Sequence, residues 1–273
     1  HTAWFEWGTG KWNMTEIEIP YAMIPDAVKT AFEASDYSKS PWVTDDEVDY
    51  LQRPGNAEAL YVIQVEKKES GVETEMDLYY TADGILVKEI ADVEKDNDYH
   101  DYLPQTPSDA ISAWLTQNYP GARMVDMERE HNSTEIEFVH GGLKYEAVFD
   151  SSGQWVYTKT DLGRNYARLV PEVVLSALTG KYSTGEWRVD DAEEFLSATN
   201  HYYCFELERI RSAWDDETDV YISADGTFID RPQNPDISGG EGGKVPVAED
   251  LLTFIEQKYN GAVVIGKEYD DGL

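Results

Sequence analysis

The chain has 273 residues, with 54 acidic against 22 basic side chains and a formal net charge of −32. Such a field repels nucleic acid and anionic membrane surfaces and attracts cations or a basic protein face. No run of about 18 apolar residues is present to span a membrane as a helix, and the single cysteine, Cys204, excludes an internal disulfide framework and a thiolate metal cluster.

In chain order, the first segment, 1–24, reads as a hairpin in which Phe5, Gly10 and Trp12 correspond to Phe149, Gly153 and Trp155 farther on. Four helical patterns follow, each preceded by a proline at Pro25, Pro107, Pro171 or Pro246. Proline suits the first helical turn because its missing N–H has no intrahelical partner there and its φ is already helical. At the second start, Thr106 is placed to cap, with Asp109 three residues on. Each pattern carries one apolar stripe: Ala27, Val28, Ala31 and Phe32; Ala110, Ile111, Trp114 and Leu115; Val173, Val174, Ala177 and Leu178; Val247, Leu251 and Ile255.

After each of the first three helices the period becomes alternating, as in Tyr61, Ile63 and Val65 against Val62, Gln64 and Glu66. That is the pattern of antiparallel strands with one face in a core. Turns at Asp83-Gly84, Ser152-Gly153 and Asp225-Gly226 close strand pairs. The connectors 92–107 and 231–244 read as an acidic turn and a glycine-rich mobile loop.

The segments repeat. Trp42, Asp45, Asp46 and Leu51 return as Trp187, Asp190, Asp191 and Leu196, and Tyr61, Glu66, Asp77, Tyr79 and Gly84 return as Tyr203, Glu208, Asp219, Tyr221 and Gly226. The expected fold is therefore α+β: tandem repeats of one helix plus an antiparallel sheet of about four strands. Two units are of one type (25–106 and 171–245) and one is of a second type (107–170). The end of a second-type unit stands at 1–24 and the start of another at 246–273. Either the N-terminal hairpin completes the C-terminal helix and strand, or the chain is a trimmed piece of something longer.

In the second-type unit, Pro107, Ala110 and Ile111, then Tyr119, Pro120, Gly121 and Ala122, then Glu135 and Glu137, then Phe149, Asp150, Gly153, Gln154 and Trp155 form a pattern that resembles the PepSY-like family of exported bacterial proteins. The fold of that family is similar to the β-lactamase inhibitory proteins. The resemblance implies a periplasmic, cell-surface or secreted location and a non-catalytic, inhibitor-like binding role, and it carries over no catalytic residues.

Alternation assigns faces. With Tyr61, Ile63, Val65, Met76, Leu78 and Tyr80 toward the helix, Gln64, Glu66, Asp77 and Tyr79 point outward, and so do Glu206, Glu208, Asp219 and Tyr221. The second-type unit adds Glu135, Glu137 and Glu146 on that side. These acidic, tyrosine-bearing faces suit a protein or peptide partner, basic by complementarity; a solvated face kept from aggregating by charge is the plainer alternative. Asp92, Glu94, Asp96, Asp98 and Asp101 alternate oxygen ligands as calcium requires, without the glycine and glutamate of an EF-hand loop. A calcium-responsive structural or sensor module is therefore the rival reading, and a carbohydrate-active enzyme with paired carboxylates the distant one. No other cofactor is expected. The five histidines show no metal spacing, and no nucleophile motif frames them.

Overall fold

The computed structural model describes residues 1–69, 72–92, 99, 103–129, 132–210 and 217–232. The expected segment 246–273, with Pro246, lies outside them, as does most of the two connectors. The described residues all belong to one unit, His1–Ile237.

Two antiparallel sheets make up most of that unit. The first has the order β1 (Thr2–Phe5), β2 (Trp12–Pro20), β4 (Glu47–Gln52), β5 (Leu60–Glu69), β6 (Val72–Thr81) and β7 (Leu86–Asp92), with the two-residue β3 (Val43–Thr44) also paired to β5. The second is an eight-stranded meander, β8 (Arg123–Arg129), β9 (Ser133–His140), β10 (Leu143–Asp150), β11 (Trp155–Asp161), β12 (Trp187–Ser197), β13 (His201–Arg209), β14 (Glu217–Ser223) and β15 (Phe228–Ile229). The helices are α1 (Asp26–Ala34), α2 (Asp109–Asn118), the one-turn α3 (Tyr166–Leu169) and α4 (Glu172–Lys181).

Pro25 and Pro171 stand one residue ahead of α1 and α4, both at φ −57° and ψ 143°, so each delivers the extended step into the helix instead of occupying its first turn. At α2 the expected cap is corrected. Ser108, not Thr106, accepts the Ile111 N–H at 3.3 Å, and with the extended backbone usual for a cap it opens the helix at Asp109, two residues beyond Pro107.

Each longer helix buries its stripe on one sheet face. Val28 and Phe32 of α1 meet Ile63, Val65, Leu78 and Tyr80, with Tyr61 and Met76 at the margin. Ile111 and Leu115 of α2 meet Ile136, Phe138 and Phe149, and Val174 and Leu178 of α4 meet Phe205, Leu207 and Ile222. Each such side chain contributes roughly 1.5–3 kcal/mol when fully buried. Hairpin turns lock these helices in place. A Cβ on Gly84 (φ +82°) would lie 2.5 Å from the Ala27 carbonyl oxygen, and one on Gly226 (φ +88°) 3.0 Å from that of Val173. Only glycine permits this backbone and this approach.

The opposite faces of the two sheets meet each other. Met14, Leu51, Leu60, Val62, Tyr79 and Val87 of the first pack with Val125 and Val139 of the second. Around this core, Arg53 donates to the carbonyls of Glu58 (2.6 Å) and Val125 (2.7 Å), Lys88 pairs with Asp126 at 3.3 Å, and Arg123 reaches Glu58 at 3.1 Å and Asp83 at 2.9 Å. The side of β5–β6 turned away from α1 is therefore in good part an internal interface.

Candidate binding surface

That interface decides which of the expected site residues are accessible. Gln64 and Glu66 remain half-buried, but Asp77 is 8% exposed and Tyr79 only 3%. The expectation that Tyr79 and Asp77 face solvent is corrected: both lie on the anticipated side of β6, which is covered. Tyr79 packs edge-on against Tyr99 at 6.3 Å, and the Tyr99 hydroxyl donates to the Asp49 carboxylate at 2.5 Å. Burial, assisted by the Asp49 charge, pushes the Tyr99 phenol far above its ordinary range.

On the second sheet the counterparts stay accessible. Asp219 is exposed, and Glu206, Glu208 and Tyr221 are partly so. The strand register sets them in rows: Asp191 opposite Glu206, Glu206 opposite Asp219, and Glu208 opposite Glu217. Three carboxylates thus lie in line across β12, β13 and β14. Among the described residues no lysine or arginine is ion-paired with Asp191, Glu206 or Asp219. The Glu206 carboxyl is held above its usual range by desolvation and by the negative charges of Glu217, Asp219, Asp190 and Asp191. Beside the row, the Tyr221 hydroxyl donates to Asp219 at 3.3 Å, and burial pushes the Cys204 thiol up to about 11, away from reactivity.

The middle of the same sheet behaves differently. Glu137 and Glu146 also oppose each other, but Lys144 pairs with Glu137 at 3.2 Å and Lys159 with Glu146 at 2.8 Å. Glu135 sits beside this lattice with its carboxyl pushed up to about 7, first by burial and then by Glu146, against the pull of Lys159.

A further acidic zone occupies the β3–β4 corner of the first sheet. A cleft of about 690 Å³ is lined there by Asp45, Asp46, Glu66, Glu75 and Asp77, with Gln64 and Val43. Glu16, Glu18 and Asp49 lie nearby in sequence pairing and bring carboxylate oxygens within 4.8 Å of one another, close enough to share a cation. Of the calcium ligands expected from sequence, Asp92 ends β7, and Glu94, Asp96, Asp98 and Asp101 lie outside the described residues. Glu16, Glu18, Glu75, Asp45, Asp46, Asp49 and Asp191 are acidic positions that sequence reasoning did not select as contacts. For Asp45, Asp46 and Asp191 the signal was the repeated Asp-Asp pair after Trp42 and Trp187; Asp49 comes into view only through its strand register opposite Glu18.

Among the described residues no helix is long and apolar enough to cross a membrane. No curated protein matches the sequence. Solved structures with local likeness include a BLIP-like protein from Bacteroides fragilis, 25% identical over 55% of this chain and 99% of that one, with a TM-score of 0.39. A DUF2874 family protein from Bacteroides uniformis is 19% identical over 46% of this chain and 88% of that one, also at 0.39. The sequence itself matches the family described as "Putative beta-lactamase-inhibitor-like, PepSY-like" over residues 1–88 and 132–230, more than half of its length. The chain therefore belongs to the PepSY-like, beta-lactamase-inhibitor-like family.

Proposed function

We propose that this is an exported, non-catalytic binding protein, inhibitor-like in mode, that engages a basic face of a protein or peptide. Its architecture on this reading is a tandem array of one helix plus about four antiparallel strands, with limits at 1–24, 25–106, 107–170, 171–245 and 246–273. The contact residues are Glu206, Glu208, Asp219 and Tyr221 on the second sheet, with Gln64 and Glu66 on the first. Asp77 and Tyr79 serve by packing beneath them.

One observation carries the reading: the in-line row of Asp191, Glu206 and Asp219. Like charges set directly opposite each other in a sheet destabilise it, by roughly 0.2–1 kcal/mol per pair. The neighbouring strands show the structural remedy, alternating signs through Lys144 and Lys159. A row left without that remedy is costly to the free protein and favourable to one that receives a cationic partner. Tyrosine at its margin supplies rigid contact area.

Affinity capture from the envelope of the source cell tests this, comparing wild type with Glu206→Gln plus Tyr221→Ala. Loss of the retained proteins is expected; equal recovery contradicts the surface. Fractionation of the same cells tests export, with the protein expected outside the cytoplasm. A second reading, a calcium-responsive module, rests on the Glu16, Glu18 and Asp49 group. Calcium that raises the melting temperature beyond a monovalent salt control of equal ionic strength would favour it, since a specific ligand acts by mass action and salt merely screens.

A further inference from the structure

Two corners of the molecule share one strand register and differ at the side chain that faces its glutamate. In the second sheet, Arg188 at the start of β12 pairs across to Glu208. In the first, Val43 of β3 pairs across to Glu66 in the same register, and the following pairs, Val189 with Leu207 and Thr44 with Val65, also correspond. The surroundings repeat as well. Trp187 lies under the Arg209 guanidinium at 5.6 Å, edge-on to Tyr182 at 5.6 Å; Trp42 lies under the Lys67 ammonium at 4.7 Å, edge-on to Tyr37 at 5.1 Å. Aspartates follow in both, at Asp190 and Asp191 and at Asp45 and Asp46.

In the second corner a guanidinium occupies the acidic setting: Arg188 contacts Asp190 at 3.0 Å and forms a close hydrogen-bonded ion pair with Glu208. In the first, valine replaces that arginine, and the carboxylates line an open cleft of about 690 Å³. Asp45 and Asp46 have no ion pair among the described residues, and Glu66 has only a distant contact with its neighbour Lys68, at 3.9 Å. Val43 is 59% exposed and offers an apolar wall for an aliphatic stem.

We infer that the β3–β4 corner is a receptor for one arginine side chain of a partner, whose guanidinium takes between Asp45 and Glu66 the place that Arg188 fills between Asp190 and Glu208. A planar fork of donors matches two carboxylates as a compact ammonium does not. This deepens the proposed function, on which it rests for the identity of the partner as a protein or peptide, and it places the specific contact on the first sheet.

The test is a ¹⁵N NMR titration of the full chain with an acetylated Gly-Arg-Gly amide, its lysine counterpart and calcium, each at fixed ionic strength. The arginine peptide is expected to shift resonances around Val43, Asp45 and Glu66. Val43→Arg, which supplies the guanidinium internally, and Asp45→Asn plus Glu66→Gln are each expected to weaken it about tenfold or more. Arg188→Val should create a second set of shifts around Asp190 and Glu208. Equal affinity for the lysine peptide, the same shifts from calcium, indifference to Val43→Arg, or no new site in Arg188→Val would each overturn the inference. A titration that behaves as expected while no envelope protein is retained leaves the receptor standing and removes the binding-protein reading. Retained proteins that ignore Val43→Arg do the reverse.

Discussion

The outer sides of β5–β6 and of β13–β14 carry nearly the same letters and meet opposite fates. On the first, Tyr79 is 3% exposed and part of a core shared between the sheets; on the second, Tyr221 lies at the margin of an accessible acidic row. Alternation along a strand fixes which side a residue occupies. Whether that side meets water depends on what the rest of the chain lays over it, and the burial of Val125 and Val139 against the first sheet settles the matter there.

The sharpest way to break this comparison is to truncate both tyrosines. Tyr79→Ala should cost about 3 kcal/mol in urea unfolding, the range for a large buried ring, whereas Tyr221→Ala, which removes a partly exposed ring edge-on to Tyr202, should cost about 1 kcal/mol. Equal losses would erase the distinction between covered and open faces. Next in size, Gly84→Ala should cost about 2 kcal/mol, because it combines a positive φ with a Cβ directed at the Ala27 carbonyl; a neutral result would mean that the hairpin does not press on α1 as described.

Titration reports on the middle of the second sheet, between the two regions. Glu135 has its carboxyl raised to about 7 in the folded protein, well above its ordinary value. Its contribution to stability is therefore fully present below about pH 4.5 and is lost as the pH rises through about 7. Allowing for its partial exposure, this amounts to roughly 1–2 kcal/mol. Glu135→Gln should flatten that part of the stability profile, as followed by melting between pH 4 and 8. The smallest effect is expected on the open face. Glu206→Lys, which sets a cation between Asp191 and Asp219, should stabilise the protein by about 0.5 kcal/mol.

Much of the chain was legible before any coordinates. Prolines 25, 107 and 171 mark helix starts to within two residues, because ring geometry acts locally, and the hairpin glycines fall where the turns require them. The cap is Ser108 and not Thr106, because two hydroxyl residues flank Pro107 and spacing alone does not say which of them the first free N–H groups reach. The burial of Tyr79 was not legible, because it is set by residues distant in the chain, Val125 and Val139, that pack into the same core. Nor was the alignment of Asp191, Glu206 and Asp219, since β12 carries a register shift between Val189 and Asp191 that spacing alone does not reveal.

The most direct measurement pairs stability with recovery in one variant. Glu206→Lys should melt higher than wild type and yet retain far less protein from an envelope extract. A variant that melts higher and still retains the same proteins in the same amounts would show that the acidic row is a surface without a partner.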